Sequence, residues 1–247
     1  SKKENKNILI RYMYKLLTII SIKLSDSYTV TSHSDYNLIR KFERHSAHIK
    51  YIPNWIEPEE IVSLENRFEN RVLCVGRLVD QKNFDYIINE FKQLSNEVFV
   101  DIVGSGPEDE NLKKIAEENN VQLKLIPNLN HSELMNLYKK YKYFISSSTF
   151  EGNPKTILEA MSSGCIVLAS NIPNHEEIIV PEFNKDKVCG FLFELQPTNL
   201  LNLFQELTNQ DKKLAEISSN AREHVNQVNS LENIGLLTYK DYVYLKS

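Results

Sequence analysis

The chain has 247 residues, of which 41% are hydrophobic and 25% charged, values that are typical of a globular protein and exclude a disordered or fibrous one. The formal net charge of −4 argues against a general nucleic-acid binder. The charge is uneven, because residues 1–50 carry ten Lys and Arg against four Asp and Glu. This basic segment predicts an anionic neighbour, either a membrane surface or a phosphate-linked acceptor.

The first helical pattern, residues 8–24, is apolar but contains Arg11, Lys15 and Lys23. These charges disfavour a membrane-spanning helix, and the segment lacks the cleavage-site pattern of a signal peptide. We expect its apolar stripe to be buried in a core, and the alternative is peripheral contact of residues 1–24 with the inner face of a membrane. An odd number of cysteines without a CxxC pair predicts buried, reduced thiols in a cytoplasmic protein, at Cys74, Cys165 and Cys189.

Short β-branched runs alternate with helical patterns, which predicts an α/β fold with a Rossmann-like parallel sheet and helices on both faces. The strands are expected near residues 28–32, 48–52, 71–75, 98–103, 121–126, 143–147, 166–169 and 190–193. The helices are expected near residues 8–24, 34–44, 83–94, 108–119, 131–140, 154–163, 197–207, 210–226 and 231–244.

The domain organisation follows from a change of composition after residue 50. Residues 57–70 are rich in Glu and Asn and are predicted as a loop before the main sheet. We therefore divide the chain into a first segment, 1–50, a main domain, 51–228, and a C-terminal helix, 229–247.

Four of the seven glycines, Gly76, Gly104, Gly106 and Gly152, fall at the ends of predicted strands or in the loops that follow them. In parallel α/β sheets that edge binds ligands. The loop after the strand at 71–75 contains Arg77 and Lys82, which could neutralise a diphosphate or could be ordinary solvated loop residues. Gly104-Ser105-Gly106-Pro107 either lines a nucleotide or sugar or only turns the chain, and Pro107 is expected to open the next helix.

The segment Phe150–Glu159 places two carboxylates, Glu151 and Glu159, on either side of a glycine turn and a helix start. Asn153 is expected to be the N-cap and Pro154 the first helical residue, which would leave backbone amides of the first turn free for phosphate. A phosphate site flanked by acids suits a nucleotide sugar.

These segments resemble, in order and spacing, the motifs of the retaining glycosyltransferases of group one (family four), which have the GT-B fold of two facing Rossmann-like domains. The matching segments are Ile52-Pro53-Asn54, Gly76–Asn83, Val103–Pro107 and Phe150–Gly164. The resemblance runs from about Asp26 to Ile179 and covers the donor-binding C-terminal half of that fold. Cys165 stands where the family often has proline.

The resemblance implies roles for individual residues. Arg77 and Lys82 would grip the donor diphosphate, Glu151 would lie near the donor sugar, and Glu159 would accept hydrogen bonds from the ribose. The segment Leu125-Ile126-Pro127 would hold the base, and Glu176 and Glu177 would be structural. The implied catalytic residues are Arg77, Lys82 and Glu151, and the implied donor-binding residues are Gly76, Gly104, Ser105, Gly106, Pro127, Gly152, Asn153, Pro154, Lys155, Thr156, Ile157 and Glu159.

No metal is expected, since there is no DxD motif and the histidines are scattered in the sequence. We expect each to lie at the surface or at a helix end: His33, His45, His48, His131, His175 and His224. The two carboxylates could also suggest the acid/base pair of a glycoside hydrolase. That interpretation is rejected because the resemblance directs Glu159 towards ribose.

The function implied is transfer of a sugar from a nucleotide sugar, with retention of configuration, to a carbohydrate or lipid-linked acceptor in polysaccharide or glycolipid assembly. Residues 1–50 would be a helix–strand–helix remnant of an acceptor-side domain, the rest of which a further N-terminal domain or a partner subunit would supply. The alternative is a non-catalytic subunit that binds a nucleotide sugar only with its partner, and a sugar-nucleotide epimerase is a distant third.

Overall fold

The computed structural model describes residues 2–42, 48–60, 62–95, 97–180, 187–208 and 210–246, with side chains from residue 12 to residue 244 within those ranges. The chain forms two compact units, Ser1–Pro53 with Leu237–Ser247 and Asn54–Leu236. The sequence-based division at residues 50 and 228, with its functional assignments, stays a prediction.

The strands, in chain order, are β1 (Ser27–Val30), β2 (His48–Tyr51), β3 (Phe68–Val75), β4 (Phe99–Val103), β5 (Gln122–Ile126), β6 (Tyr141–Ser146), β7 (Ile166–Ser170) and β8 (Phe191–Phe193). The helices are α1 (Lys2–Leu24), α2 (His33–Ile39), α3 (Phe84–Phe91), α4 (Asp109–Glu118), α5 (His131–Tyr138), α6 (Lys155–Ser162), α7 (Pro173–Ile179), α8 (Asn199–Leu207), α9 (Asp211–Val228) and α10 (Leu231–Lys246).

Each of the eight predicted strands and nine predicted helices corresponds to one of these elements, but three predictions need correction. Helix α7 was not predicted, because Ile172-Pro173-Asn174 has the composition of a turn and the helix has only seven residues. Strand β3 begins at Phe68, inside the predicted loop 57–70. Its first three residues are exposed, and the two that follow Phe68 are polar. Helix α2 ends at Ile39 rather than near 44, and residues 43–44 lie outside the described residues.

The larger unit contains a six-stranded sheet in the order β5-β4-β3-β6-β7-β8, with all neighbours parallel. Its core lies on both faces, because successive side chains of a strand point to opposite sides. On one face Val72 packs with Ile88 and Phe204, and on the other Leu73 packs with Tyr138 and Met161. The predicted Rossmann-like sheet, covered by helices on both faces, is confirmed.

The three cysteines are free thiols buried in this unit, as predicted. Burial raises the pKa of Cys165 to about 12 and that of Cys189 to about 11. Burial likewise raises the pKa of Cys74. The thiols therefore stay protonated and unreactive at neutral pH.

The smaller unit contains a two-stranded parallel sheet, in which Ser27 of β1 is opposite His48 of β2. The side chain of His48 lies 2.6 Å from Asp241 of α10. Of the α1 side chains described, only Ile22 is buried, and seven large hydrophobic side chains are exposed: Tyr12, Met13, Tyr14, Leu16, Leu17, Ile20 and Leu24. The prediction that the apolar stripe of this helix is buried is therefore wrong, because a two-stranded sheet offers too little surface to cover it.

Candidate functional site

The candidate site lies at the carboxyl edge of the six-stranded sheet, where the strand order reverses. Strands β3 and β6 are neighbours at the centre, and the chain continues from them to opposite sides of the sheet. The loops that follow them, residues 76–83 and 147–154, form the crevice in which doubly wound sheets bind ligands.

The first loop directs the side chain of Lys82 across the end of β3. A Cβ added at Gly76 would lie 2.9 Å from the Lys82 Cε and 3.2 Å from its Cδ, so the lysine stem needs the glycine beneath it. Asn83 takes the left-handed conformation, with φ 53°. The hydroxyl of Ser147 lies 2.8 and 2.9 Å from the carbonyl oxygens of Lys82 and Asn83, which share its one donor hydrogen, and so fixes the loop to the end of β6.

Lys82 reaches the second loop directly, because its Nζ lies 2.5 Å from Oε1 of Glu151. The same Oε1 accepts from the hydroxyl of Ser148 at 2.6 Å. The Lys82 and Glu151 side chains are only 16% and 10% exposed, so water screens this ion pair weakly. Arg77, by contrast, is exposed. The sequence predicted all three residues at one site but not the direct contact between Lys82 and Glu151.

Helix α6 begins at Lys155, and Pro154 is its N-cap with no side-chain capping bond. The predicted N-cap role of Asn153 is therefore wrong, because its Oδ1 accepts instead from the backbone N–H of Asn54 at 3.1 Å. The amide of Ile157 donates to the carbonyl of Pro154 at 3.1 Å. In an α-helix the amides before it have no partner inside the helix, so those of Lys155 and Thr156 are available to an anion.

The turn before α6 is open on its outer side. A Cβ added at Gly152 would meet nothing within 4 Å. The carbonyl of Gly152 accepts from Nδ2 of Asn174 at 2.5 Å, which holds the turn from α7. The ammonium group of Lys155 lies 4.6 Å from the ring centre of Trp55, which is 40% exposed.

Glu159 is a buried carboxylate at the end of the site, with 6% of the residue exposed. Tyr138 donates to its Oε2 at 3.4 Å, and Nδ1 of His131 lies 3.7 Å from its Oε1. Burial raises the pKa of Glu159, and His131, Lys155 and Tyr138 oppose that rise. Long contacts leave the carboxylate able to accept stronger hydrogen bonds, such as those of paired hydroxyls.

The glycines of the loop after β4 are required by the protein's own backbone. Gly104 has φ +155°, and a Cβ there would lie 1.9 Å from the carbonyl oxygen of Gly76, while one at Gly106 would lie 2.3 Å from that of Leu78. The carbonyl of Ser105 accepts from Leu78 N at 3.0 Å. This loop therefore supports the Lys82 loop from behind, and its contact with a ligand stays a prediction, as does that of the exposed Pro127. Pro107 does not open the next helix, since α4 begins two residues later at Asp109, and it lies in a turn.

His175 was expected at the surface or at a helix end, and that prediction is wrong. It is fully buried in α7, and its Nδ1 lies 2.9 Å from the carbonyl of Ser170, so that nitrogen carries the proton. Burial lowers the pKa of His175 to about 4. The Ser170 hydroxyl donates to the carbonyl of Ser148 at 2.6 Å, which links this cluster to the Glu151 loop. His45 lies outside the described residues.

Within the described ranges, no three His, Cys, Asp or Glu side chains form a group suited to a metal ion. No described helix is long and apolar enough to cross a membrane.

A model of the family "Glycosyl transferases group 1" matches residues 57–224, which contain every one of the loops described above. The chain belongs to the group 1 glycosyl transferases. This membership confirms the resemblance that the sequence motifs indicated.

Three curated relatives show how much of a longer protein the chain covers. A UDP-Gal:alpha-D-GlcNAc-diphosphoundecaprenol alpha-1,3-galactosyltransferase of Escherichia coli is 28% identical over 87% of this chain and 59% of that protein. The capsular polysaccharide biosynthesis glycosyltransferase CapH of Staphylococcus aureus is 28% identical over 88% of this chain and 62% of that protein. The GtfA subunit of a UDP-N-acetylglucosamine–peptide N-acetylglucosaminyltransferase of Streptococcus agalactiae is 32% identical over 41% of this chain and 21% of that protein. The chain thus spans less than two thirds of each.

Solved structures of glycosyltransferases share the fold. Sucrose-phosphate synthase of Thermosynechococcus elongatus superposes with a TM-score of 0.79 at 19% identity, over 93% of this chain and 61% of that one. The pneumococcal O-GlcNAc transferase GtfA in complex with UDP and GlcNAc superposes with a TM-score of 0.70 at 20% identity, over 90% of this chain and 46% of that one.

Proposed function

We propose that the crevice between the loops after β3 and β6 binds a nucleotide sugar, and that the chain is the donor-binding half of a retaining glycosyltransferase. The observation that carries the proposal is the placement of Lys82, in contact with Glu151, at the strand-order reversal, next to a helix whose first turn has no side-chain cap. A diphosphate fits between a cation and free amides.

The chemistry requires stabilisation of the negative charge that develops as the nucleoside diphosphate leaves. Lys82, the exposed Arg77 and the amide end of α6 supply positive charge for that purpose from the protein itself. Glu151 holds the Lys82 ammonium in place and lies next to the position of the donor sugar. We therefore propose that this half of the site works without a bound metal.

Glu159 is proposed to accept hydrogen bonds from the two ribose hydroxyls. A carboxylate has room for several such bonds, and its present contacts, at 3.4 and 3.7 Å, are long. Bond formation would also offset the cost of keeping a charge at a position that is 6% exposed.

Uridine diphosphate is the first nucleotide to test, because the names of several relatives specify a UDP-linked sugar. The Escherichia coli relative is named for a diphosphoundecaprenol acceptor and CapH for capsular polysaccharide. These names support a lipid-linked or carbohydrate acceptor and a place in polysaccharide or glycolipid assembly. A location in the cytoplasm, at the inner face of a membrane, is part of the same proposal.

The smaller unit is proposed to be completed by further polypeptide. Parallel strands normally lie in larger sheets covered on both faces, whereas β1 and β2 form a sheet of two and α1 exposes seven large hydrophobic side chains. An acceptor-side domain or a partner subunit would cover this surface. Peripheral contact of residues 1–24 with an anionic membrane is the second possibility, to which their basic charge contributes.

A non-catalytic role within a complex is the second candidate function. Relatives that are named as the GtfA subunit of a transferase support a partner subunit for this chain, but their names do not favour a subunit without catalytic activity. In that case the chain would bind the donor and would transfer sugar only with its partner.

A thermal-shift screen of nucleoside diphosphates and their sugars tests the proposal. We expect a rise in melting temperature with one base and a smaller rise with that nucleotide in the Lys82→Met variant. A folded protein that no nucleotide stabilises would contradict the proposal. Sugar release or transfer by the chain alone would separate the catalytic from the non-catalytic candidate.

A further inference from the structure

Asn54 lies 99 positions before Asn153 in the chain, yet it bonds both the side-chain oxygen and the carbonyl oxygen of Asn153. These are the two oxygens with which Asn153 would cap the start of α6. We infer that Asn54 is a positioning residue that prevents this helix from capping itself and thereby keeps its first amides free for the donor phosphate. The inference rests on the proposed function and adds a specific way in which the site is kept open.

The contacts form a reciprocal pair. The backbone N–H of Asn54 donates to Oδ1 of Asn153 at 3.1 Å, and Nδ2 of Asn54 donates to the carbonyl of Asn153 at 2.7 Å. An N-cap residue uses those same two oxygens, because its side chain accepts from an amide of the first turn and its carbonyl accepts the first helical bond. Both oxygens are therefore withdrawn from the helix.

The self-capped alternative needs only a small backbone change. Pro154 has φ −71°, which is already helical, and ψ 99°, which is not. If ψ became helical, Pro154 would occupy the first helical position, which proline favours, and Asn153 would be the N-cap. Its side chain would then bond the amide of Lys155 or Thr156. The sequence predicts this local structure together with free first-turn amides, but the two expectations conflict, because a capping Asn153 would occupy one of those amides. The bonds to Asn54 are what oppose the capping.

The side-chain amide of a third asparagine, Asn229, fixes Asn54 itself. The Nδ2 of Asn229, at the end of α9, donates to the carbonyl of Asn54 at 2.8 Å, and the carbonyl of Asn229 accepts from Ile56 N at 2.8 Å. Asn229 is only 5% exposed. The pair that holds Asn153 is thus anchored in the larger unit.

Neighbouring helix α5 shows what an Asn does when nothing withdraws it. Asn130 caps that helix through the amide of Glu133 at 2.9 Å, and Glu133 bonds back to the N–H of Asn130 at 3.0 Å. The same residue type at the start of α6 makes no such bond. The difference lies in the contact with Asn54.

The test combines UDP binding with amide hydrogen exchange in the full chain. In Asn54→Ala the bond to the Asn153 carbonyl is lost, so we expect UDP to bind about 3- to 30-fold more weakly, the range set by the usual strength of an N-cap bond. Without ligand, the amides of Lys155 and Thr156 should exchange more slowly than in the wild type. In an Asn153→Ala background, which cannot self-cap, adding Asn54→Ala should change UDP affinity by less than about twofold. Asn202→Ala, on an exposed helix surface, is the matched control.

The inference would be overturned if the two amides exchanged faster in Asn54→Ala than in the wild type. It would also be overturned if Asn54→Ala lost the same affinity in the wild-type and Asn153→Ala backgrounds. A residue that merely braces the turn gives those results. Unchanged affinity and unchanged exchange would also overturn it. The exchange measurement needs no ligand, so it tests the inference even if no nucleotide binds, a result that would instead contradict the proposed function.

Discussion

Replacing Gly76 by Ala adds one carbon directly beneath the side chain of Lys82. The new Cβ would lie 2.9 Å from Cε and 3.2 Å from Cδ of that lysine. Both distances are shorter than a carbon–carbon contact of about 3.5 Å, so the flexible stem must move. The Nζ atom then leaves its position 2.5 Å from Glu151, where the proposed diphosphate would also meet it.

The expected size of the effect follows from the bond that is lost. A hydrogen bond to a charged group contributes about 1.5–3 kcal/mol, so UDP should bind about 10- to 150-fold more weakly. The fold should persist, since Gly76 does not have positive φ and only a side-chain end must move. Lys82→Met is the matched variant, because it removes the same ammonium group without adding a carbon at position 76.

Calorimetric titration with UDP, alongside urea unfolding, measures both quantities. We expect Gly76→Ala and Lys82→Met to lose similar affinity and to unfold at similar urea concentrations. An affinity of Gly76→Ala within twofold of the wild type, with a large loss in Lys82→Met, would show that a Cβ at position 76 does not displace the Lys82 side chain.

Other predictions concern the remaining residues of the site. Gly104→Ala should lower the free energy of unfolding by several kcal/mol, because φ is +155° and the backbone of Gly76 blocks the new carbon. Gly152→Ala should leave the free energy of unfolding within about 0.5 kcal/mol of the wild type and weaken only nucleotide-sugar binding. Urea unfolding and titration with the nucleotide sugar distinguish these outcomes. Glu159→Gln should raise the stability of the free protein at neutral pH, since the raised pKa of Glu159 means that stability falls as pH rises above the ordinary pKa of a glutamate. The same variant should weaken UDP binding. Unchanged UDP affinity would contradict the ribose role, and a loss of stability would contradict the cost assigned to the buried charge. Because the pKa of His175 is lowered to about 4, the free energy of unfolding should fall by up to about 1.4 kcal/mol per pH unit as pH drops from about 6.5 to 4. His175→Asn should reduce that slope. An unchanged slope in acid titrations of the variant would contradict this role of His175.

The sequence predicted the fold well because the central strands are buried on both faces. A nearly continuous apolar run such as that of β7 can be recognised without knowing its neighbours. The loops that follow β3, β4 and β6 contain glycines whose positions depend on local backbone geometry. Helix α7 was missed because a proline at its start and a length of seven residues resemble a turn.

The contacts within the site could be predicted only in part. The motif identified Lys82 and Glu151, but their separation of 69 positions in the chain conceals their direct contact. Local rules made Asn153 an N-cap, and a partner distant in the sequence overrode that preference. The burial of His175 depends on a carbonyl at the end of β7, which no local pattern of residues reveals.

The location of the donor site is tested most directly by amide hydrogen exchange of the full chain with and without a saturating nucleoside diphosphate. We expect added protection in residues 76–83 and 151–159, around the reversal of strand order, and no added protection at the opposite edge of the sheet. Protection confined to other segments, with these two unchanged, would contradict it.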